Sequence, residues 1–149
     1  MDYAELADEF LVHMQMFRKF EPQQKINESM RGEVFALHHI AANGGDNIIP
    51  SELSDAVGIS GARIAATLNS LEKKGYITRQ IDPEDRRRIL VTLTDTGREQ
   101  EETYRRALVD SVERMLRLLG ERDAKEYVRI SRKLAKLAAS EATLQEQDA

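Results

Sequence analysis

The stretch that most limits how this chain can fold is residues 50–73, "PSELSDAVGISGARIAATLNSLEK". Pro50 suits the first turn of a short helix that runs to Val57, with Leu53, Ala56 and Val57 facing inward. Gly58 can take a positive φ and so permits a tight turn. Ser60 can then cap a second helix by accepting a backbone N–H. In that helix Ile64, Leu68 and Leu71 fall on one face, which leaves Gly61, Ala62, Arg63, Ala65, Ala66 and Asn69 on or near the other. Two helices joined by three or four residues with a glycine describe a helix-turn-helix. Small side chains let such a helix approach base edges in a major groove, and Arg63 near its start can reach a guanine or a phosphate. The plainer account, that alanines simply favour helix, stays open.

The segment C-terminal to these helices narrows the choice. "YITRQI" and "ILVTLT" are β-rich segments on either side of "DPEDRRR", so residues 76–94 read as an antiparallel hairpin with a Pro-containing tip. A charged tip in isolation is a solvated turn. Directly after a helix-turn-helix the hairpin becomes a wing, and Arg86, Arg87 or Arg88 on its tip can enter a minor groove, where A·T tracts concentrate negative potential. Asp82 and Asp85 can orient the guanidinium by bidentate pairing.

Charge tests that reading. A net charge of −4 argues mildly against nucleic acid as a partner, but the distribution is uneven. Residues 1–59 carry four basic and ten acidic side chains, residues 60–92 seven and four, and residues 93–149 eleven and twelve. The positive segment comprises Arg63, Lys73, Lys74, Arg79 and the three wing arginines. A local basic surface is enough to displace counterions from a phosphate backbone.

The flanks are helical. Leu6, Phe10, His13, Phe17 and Phe20 recur at steps of four and three, forming one stripe that Pro22 ends. A second helix is predicted from about Glu28 to Ala42 with Met30, Val34, Leu37 and Ala41 in its stripe, stopped by Asn43, Gly44 and Gly45. "NII" at 47–49 is a candidate edge strand. After "LTDTG", Thr94 or Asp95 can cap a long helix to about Leu119 with Tyr104, Leu108, Val112 and Met115 on its stripe. Gly120 separates it from a last helix, capped by Asp123, with Tyr127, Ile130, Leu134 and Leu137 on one side. Residues after about Ala142 are expected to fray. The N-terminal stripe and the two C-terminal stripes have more apolar surface than one chain can cover. Pairing with a second copy solves this, and a two-fold dimer sets two recognition helices facing one side, about one DNA turn apart. The rival is an intramolecular three-helix packing.

Other classes drop out on composition. No apolar run approaches the roughly 18 residues of a membrane span, and "MDYAELADEF" lacks the basic flank and apolar stretch of a signal peptide, so no membrane association and a cytoplasmic location are expected. Cysteine is absent, which removes disulfides, thiolate metal sites and thiol-based sensing. There is no glycine-rich phosphate loop, H-E-x-x-H or G-x-S-x-G, so an enzyme is not expected.

The sequence strongly resembles the MarR family of bacterial winged-helix transcriptional regulators. The resemblance runs through "SELSDAVGISGARIAATLNSLEKKGYITR" and the wing "DPEDRRRILVTLTDTG", with the family's Leu-Thr…Gly pattern at Leu93, Thr94 and Gly97. It implies a mostly α fold with a small β-wing, in a single domain over 1–149: a winged helix-turn-helix DNA-binding region at 28–97, with dimerisation helices at 1–27 and 98–149. It also implies a homodimer on a pseudo-palindromic double-stranded DNA operator, usually a repressor, often released by a small aromatic or amphipathic ligand held between the two parts. By position, Ser60, Gly61, Ala62, Arg63, Ala65, Ala66 and Thr67 lie in the recognition helix, Arg87 is the wing arginine and Asp85 its support. Leu6, Phe10, Tyr127, Ile130, Leu134 and Leu137 are the expected dimerisation residues. Ile49 stands where many members have a capping threonine or serine. Glu84 stands where a basic residue is frequent and Arg88 where a small one is, so all three wing arginines remain candidates.

Three histidines, His13, His38 and His39, are too few and too dispersed for a metal site, which needs about three converging ligands. No metal or cofactor is expected. An effector pocket drawn from His13, Met14, Phe17 and His38, with Met16 and Met30 as adaptable lining, competes with plain core or interface roles for each residue. A helical dimerisation and ligand-binding module that has lost specific DNA binding is the alternative function, kept open by the acidic total and the bare recognition helix.

Overall fold

The computed structural model describes residues 1–147, with side chains described for 1–141. The elements in order are α1 (Tyr3–Phe17), α2 (Glu21–Ser29), α3 (Gly32–Ala42), α4 (Pro50–Val57), α5 (Gly61–Lys73), β1 (Ile77–Ile81), β2 (Ile89–Leu93) and α6 (Asp95–Gln147). One compact unit covers Met1–Ser111 and a second begins at Val112.

The first unit is built on an apolar core contributed by α3, α4, α5 and the hairpin. Leu37, Ile40, Leu53, Ile64, Leu68, Leu71, Ile77 and Val91 are all buried. Ile64, Leu68 and Leu71 occupy the inner face of α5 as their spacing predicts. On α4, Leu53 is buried and Val57 half-buried, whereas Ala56 is exposed. Gly58 takes φ 68° and closes α4 by donating its N–H to Ser54 O at 2.9 Å. Ser60 Oγ then accepts the Arg63 N–H at 3.4 Å as the α5 cap. No side chain caps α4 at Ile49; Pro50 in its first turn removes one donor that would need a partner.

β1 and β2 pair antiparallel in the register Ile77↔Leu93 through Ile81↔Ile89. The expected strand at 47–49 is reduced to one bridge, in which Ile48 and Val91 exchange N–H···O bonds of 2.9 and 2.8 Å. Val91 is therefore held on both sides, by Arg79 and by Ile48.

Three expectations need correction. The predicted helix from Glu28 to Ala42 is two helices: residues 21–29 form α2, and α3 begins only at Gly32, whose φ of 66° separates them. Pro22 ends one pattern but opens the next, buried in the first turn of α2. Phe20 is not on the α1 stripe; it is the extended residue before α2, its ring 6.0 Å from that of Phe17. The inward face of α3 is Ala36, Leu37 and Ile40, with Val34 and Ala41 only half-buried and Met30 exposed at the end of α2.

The start of α6 is locked to the hairpin. Thr94 Oγ1 donates to Gly75 O at 2.6 Å and accepts the Gly97 N–H at 3.0 Å, while the Thr94 N–H reaches Tyr76 O at 3.0 Å. Of the two candidates, Thr94 is thus the cap. A side-chain carbon on Gly97 would overlap the Tyr76 carbonyl oxygen and stand 2.8 Å from its carbon and 2.9 Å from Leu93 Cδ1. Backbone meets backbone there, which only glycine permits.

α1 buries none of its residues. In the second unit α6 is interrupted at Gly120, which has φ 74° and ψ 165°, where the sequence places the division between two helices. Arg117–Glu113, Lys125–Glu121 and Arg129–Glu126 pairs occupy its polar faces. Tyr127, Ile130, Leu134 and Leu137 remain 49–66% exposed. The backbone is helical to Gln147, and the fraying expected after Ala142 otherwise concerns residues outside those described. No helix of the described residues is long and apolar enough to cross a membrane.

Candidate nucleic-acid interface

The outer face of α5 is open. Gly61, Ala62, Arg63, Ala65, Ala66 and Asn69 are all exposed, and Thr67 is half-buried at the edge of the face. Nothing longer than an alanine side chain rises from the centre of that face, while Ser60 at its start is exposed with its hydroxyl turned to the cap.

The wing tip is a nested pair of turns. The Asp82 N–H donates to Arg88 O at 3.0 Å and the Arg88 N–H to Asp85 O at 2.9 Å, which closes the loop from both ends. Asp82, 8% exposed, accepts the Glu84 N–H at 2.9 Å and lies 3.7 Å from Arg88 Nε. Asp85 accepts the Arg87 backbone N–H at 3.1 Å, and its two oxygens accept Arg87 Nε at 3.2 Å and Nη2 at 3.3 Å. This is the bidentate fork anticipated for the acids beside the arginines. The Arg87 guanidinium, by these hydrogen bonds, holds the Asp85 carboxyl below its ordinary value. Arg87 nevertheless projects, with its side chain 90% exposed against 47% for Arg88. Arg86 is exposed and has no ion-pair partner among the described residues.

The basic segment does not all face outward. Lys74 Nζ donates to Glu33 Oε2 at 2.5 Å, tying the end of α5 to the start of α3 and lowering the Glu33 pKa. Arg79 turns from β1 onto α5, where Glu72 and Asn69 accept its hydrogen bonds. Residue counting reads both as free cations, because a charge tally carries no information on cross-chain partners. Arg63, Lys73 and the three wing arginines Arg86, Arg87 and Arg88 stay exposed.

The proposed effector residues are not gathered in one place. His13, Met14 and Phe17 are exposed on α1. His38, exposed on α3, has Nδ1 3.0 Å from Glu101 Oε1 and borders a cavity of about 270 Å³ lined by Met30, Val34, Phe35, Tyr104, Arg105 and Leu108. Phe35 stacks on His39 at 6.0 Å. The lining from α6 was invisible as a site in the sequence because Tyr104 and Leu108 read equally well as core stripe. No group of three or more metal-ligating side chains converges among the described residues.

Two short helices, a left-handed glycine between them and an antiparallel hairpin after them define a winged helix-turn-helix. Residues 31–88 match the model of the MarR family. It is 38% identical over 88 residues to the HTH-type transcriptional regulator YdgJ of Bacillus subtilis, covering 59% of this chain and 51% of that protein. The chain spans about half the length of the curated relatives it matches. Among solved structures it has the fold of the YusO protein from Bacillus subtilis (TM-score 0.71, 23% identity, 91% of this chain and 99% of that one). It also has the fold of Streptococcus pneumoniae FabT in complex with DNA (TM-score 0.67, 23% identity, 96% and 99% covered).

Proposed function

We propose that this protein is a sequence-specific double-stranded DNA-binding transcriptional regulator, acting as a homodimeric repressor at a pseudo-palindromic operator and relieved by a small ligand. One observation carries the reading: a helix face stripped to glycine and alanine stands beside a hairpin whose Arg87 is forked by Asp85 and yet almost wholly exposed. A bare helix approaches base edges closely, and a pre-oriented guanidinium enters a narrow groove at little entropic cost. Support for DNA as partner comes from FabT, a fold neighbour crystallised in complex with DNA. Apolar stripes exposed on α1 and beyond Gly120 support pairing of two copies. For a ligand, the cavity beside His38 offers apolar walls with Arg105 and Glu101 at its edge.

A gel-shift titration with duplex DNA from upstream of the protein's own gene tests this, since such regulators commonly sit beside their targets. Affinity should fall steeply with salt. Arg87→Ala should weaken binding by about tenfold or more with relaxed preference at one position, and Arg129→Ala, outside the basic segment, should not. Equal affinity for every duplex refutes specificity; no binding at all favours the reading of a dimerisation and ligand-binding module.

A further inference from the structure

Arg79 sits at the centre of β1, paired with Val91, and its guanidinium does not point to solvent as the other wing-region arginines do. Nη2 donates to Asn69 Oδ1 at 2.6 Å and to Glu72 Oε2 at 2.7 Å, and Nε donates to the same Glu72 oxygen at 3.2 Å. Asn69 and Glu72 are three residues apart on α5 and so share one side of it. Asn69 is also the last residue of the bare face that begins at Gly61. One planar group thus joins the middle of the wing's first strand to the exposed edge of the recognition helix.

Core packing holds the start of the wing against α5 through Leu71, Ile77 and Val91, but it does not extend along β1 past Arg79. A cavity of about 390 Å³ lies beside this junction, lined by Ser54, Ile64, Ala65, Leu68, Arg79 and Ile89 among others. Where apolar side chains do not interlock, the angle between two elements is set by whatever directional contacts remain. Arg79 supplies them, in a planar fork that a lysine cannot reproduce. Its side chain is only 27% exposed and its donors are turned onto α5, so unlike Arg87 it is poorly placed to meet a phosphate.

We propose that Arg79 is a positioning residue, a strut that sets the wing against α5 so that helix face and wing tip engage adjacent grooves of one duplex together. Two contacts on one ligand reinforce each other only when their spacing matches it. The inference rests on the DNA-binding function proposed for this chain, and concerns specific rather than general affinity.

The test compares the wild-type chain with Arg79→Lys and Glu72→Ala. The probes are a duplex that the wild type selects from a random-sequence pool and a scrambled duplex of the same composition. Arg79→Lys keeps the charge and loses the fork. It should lower affinity for the selected duplex about tenfold while affinity for the scrambled duplex stays within about twofold. Glu72→Ala removes the oxygen that accepts both Arg79 Nε and Nη2, and with it an exposed negative charge, whose loss by itself strengthens binding to any duplex. The strut predicts that the ratio of selected to scrambled affinity falls regardless. Unchanged thermal melting of both variants separates positioning from folding, and Glu72→Ala, at an exposed helical site, keeps the test decisive should the lysine variant be unstable. Wild-type affinity in Arg79→Lys, or a ratio that holds or rises in Glu72→Ala, overturns the strut while leaving DNA binding intact. A wild type that selects no sequence overturns both.

Discussion

Gly97 illustrates what a single residue position can demand. Its backbone lies against the Tyr76 carbonyl, and Thr94 is folded back over the same turn. Gly97→Ala forces the hairpin and α6 apart, an overpacking that costs about 1–3 kcal/mol. For a chain of this size the melting midpoint should drop by about 3–10 °C, measured by calorimetry. The Asp85–Arg87 fork makes a second prediction at this scale. Hydrogen bonds from Arg87 depress the Asp85 pKa from its ordinary 3.8, so what the fork adds to wing order is present above that value and is lost as pH falls through the lower folded one. Wing order should therefore be insensitive to pH across the neutral range. A carboxyl NMR titration should find the Asp85 midpoint below 3.8 in the wild type and higher in Arg87→Ala, where the backbone N–H of residue 87 and the Arg88 charge still act on it; a midpoint that does not move between the two denies the fork in solution.

At the scale of elements, the parts with strong local punctuation were legible in advance. Pro50, Gly58 and Ser60 delimit α4 and α5 by backbone rules that need no tertiary context, and β-branched runs on either side of a proline turn define the hairpin. The division of 21–42 into two helices was not. α3 is apolar on most sides, with Phe35, Ala36, Leu37, Ile40 and Ala41 close together, so its periodicity does not say which face is inward. The choice of Ala36, Leu37 and Ile40 is made by the fit against α5 and β2, which a single-sequence pattern cannot encode. The candidate site divides the same way: the bare face and the aspartate–arginine fork follow from neighbouring residues, while the inward turn of Arg79 depends on a helix seven or more positions away. Element junctions can be probed directly. Thr94→Ala removes both the α6 cap and the bond to Gly75 O, and should cost about 1–2 kcal/mol in denaturant unfolding, with the early turns of α6 losing amide protection first.

For the whole molecule the question is what covers its apolar exterior. Leu6 and Phe10 are 47% and 62% exposed, and Ile130 and Leu134 51% and 66%. Surfaces of that kind mark association sites. Ile130→Glu with Leu134→Glu should convert a dimer to monomer in sedimentation velocity without lowering helix content, and should abolish binding to a two-half-site duplex far more than to a half-site. A wild type that sediments as a monomer at micromolar concentration denies the pairing.

Gly120 has a consequence for how such an assembly could go wrong. Its φ of 74° with ψ of 165° belongs to a region that chiral residues avoid, and it interrupts an element otherwise helical over 53 residues. Helical geometry is open to almost any residue at that place, so every replacement tips the preference toward an unbroken rod. A straight rod would send the segment past the former break in another direction and carry the apolar side chains of Tyr127, Ile130, Leu134 and Leu137 with it. One methyl group there would thus re-aim a pairing surface without touching any of its residues.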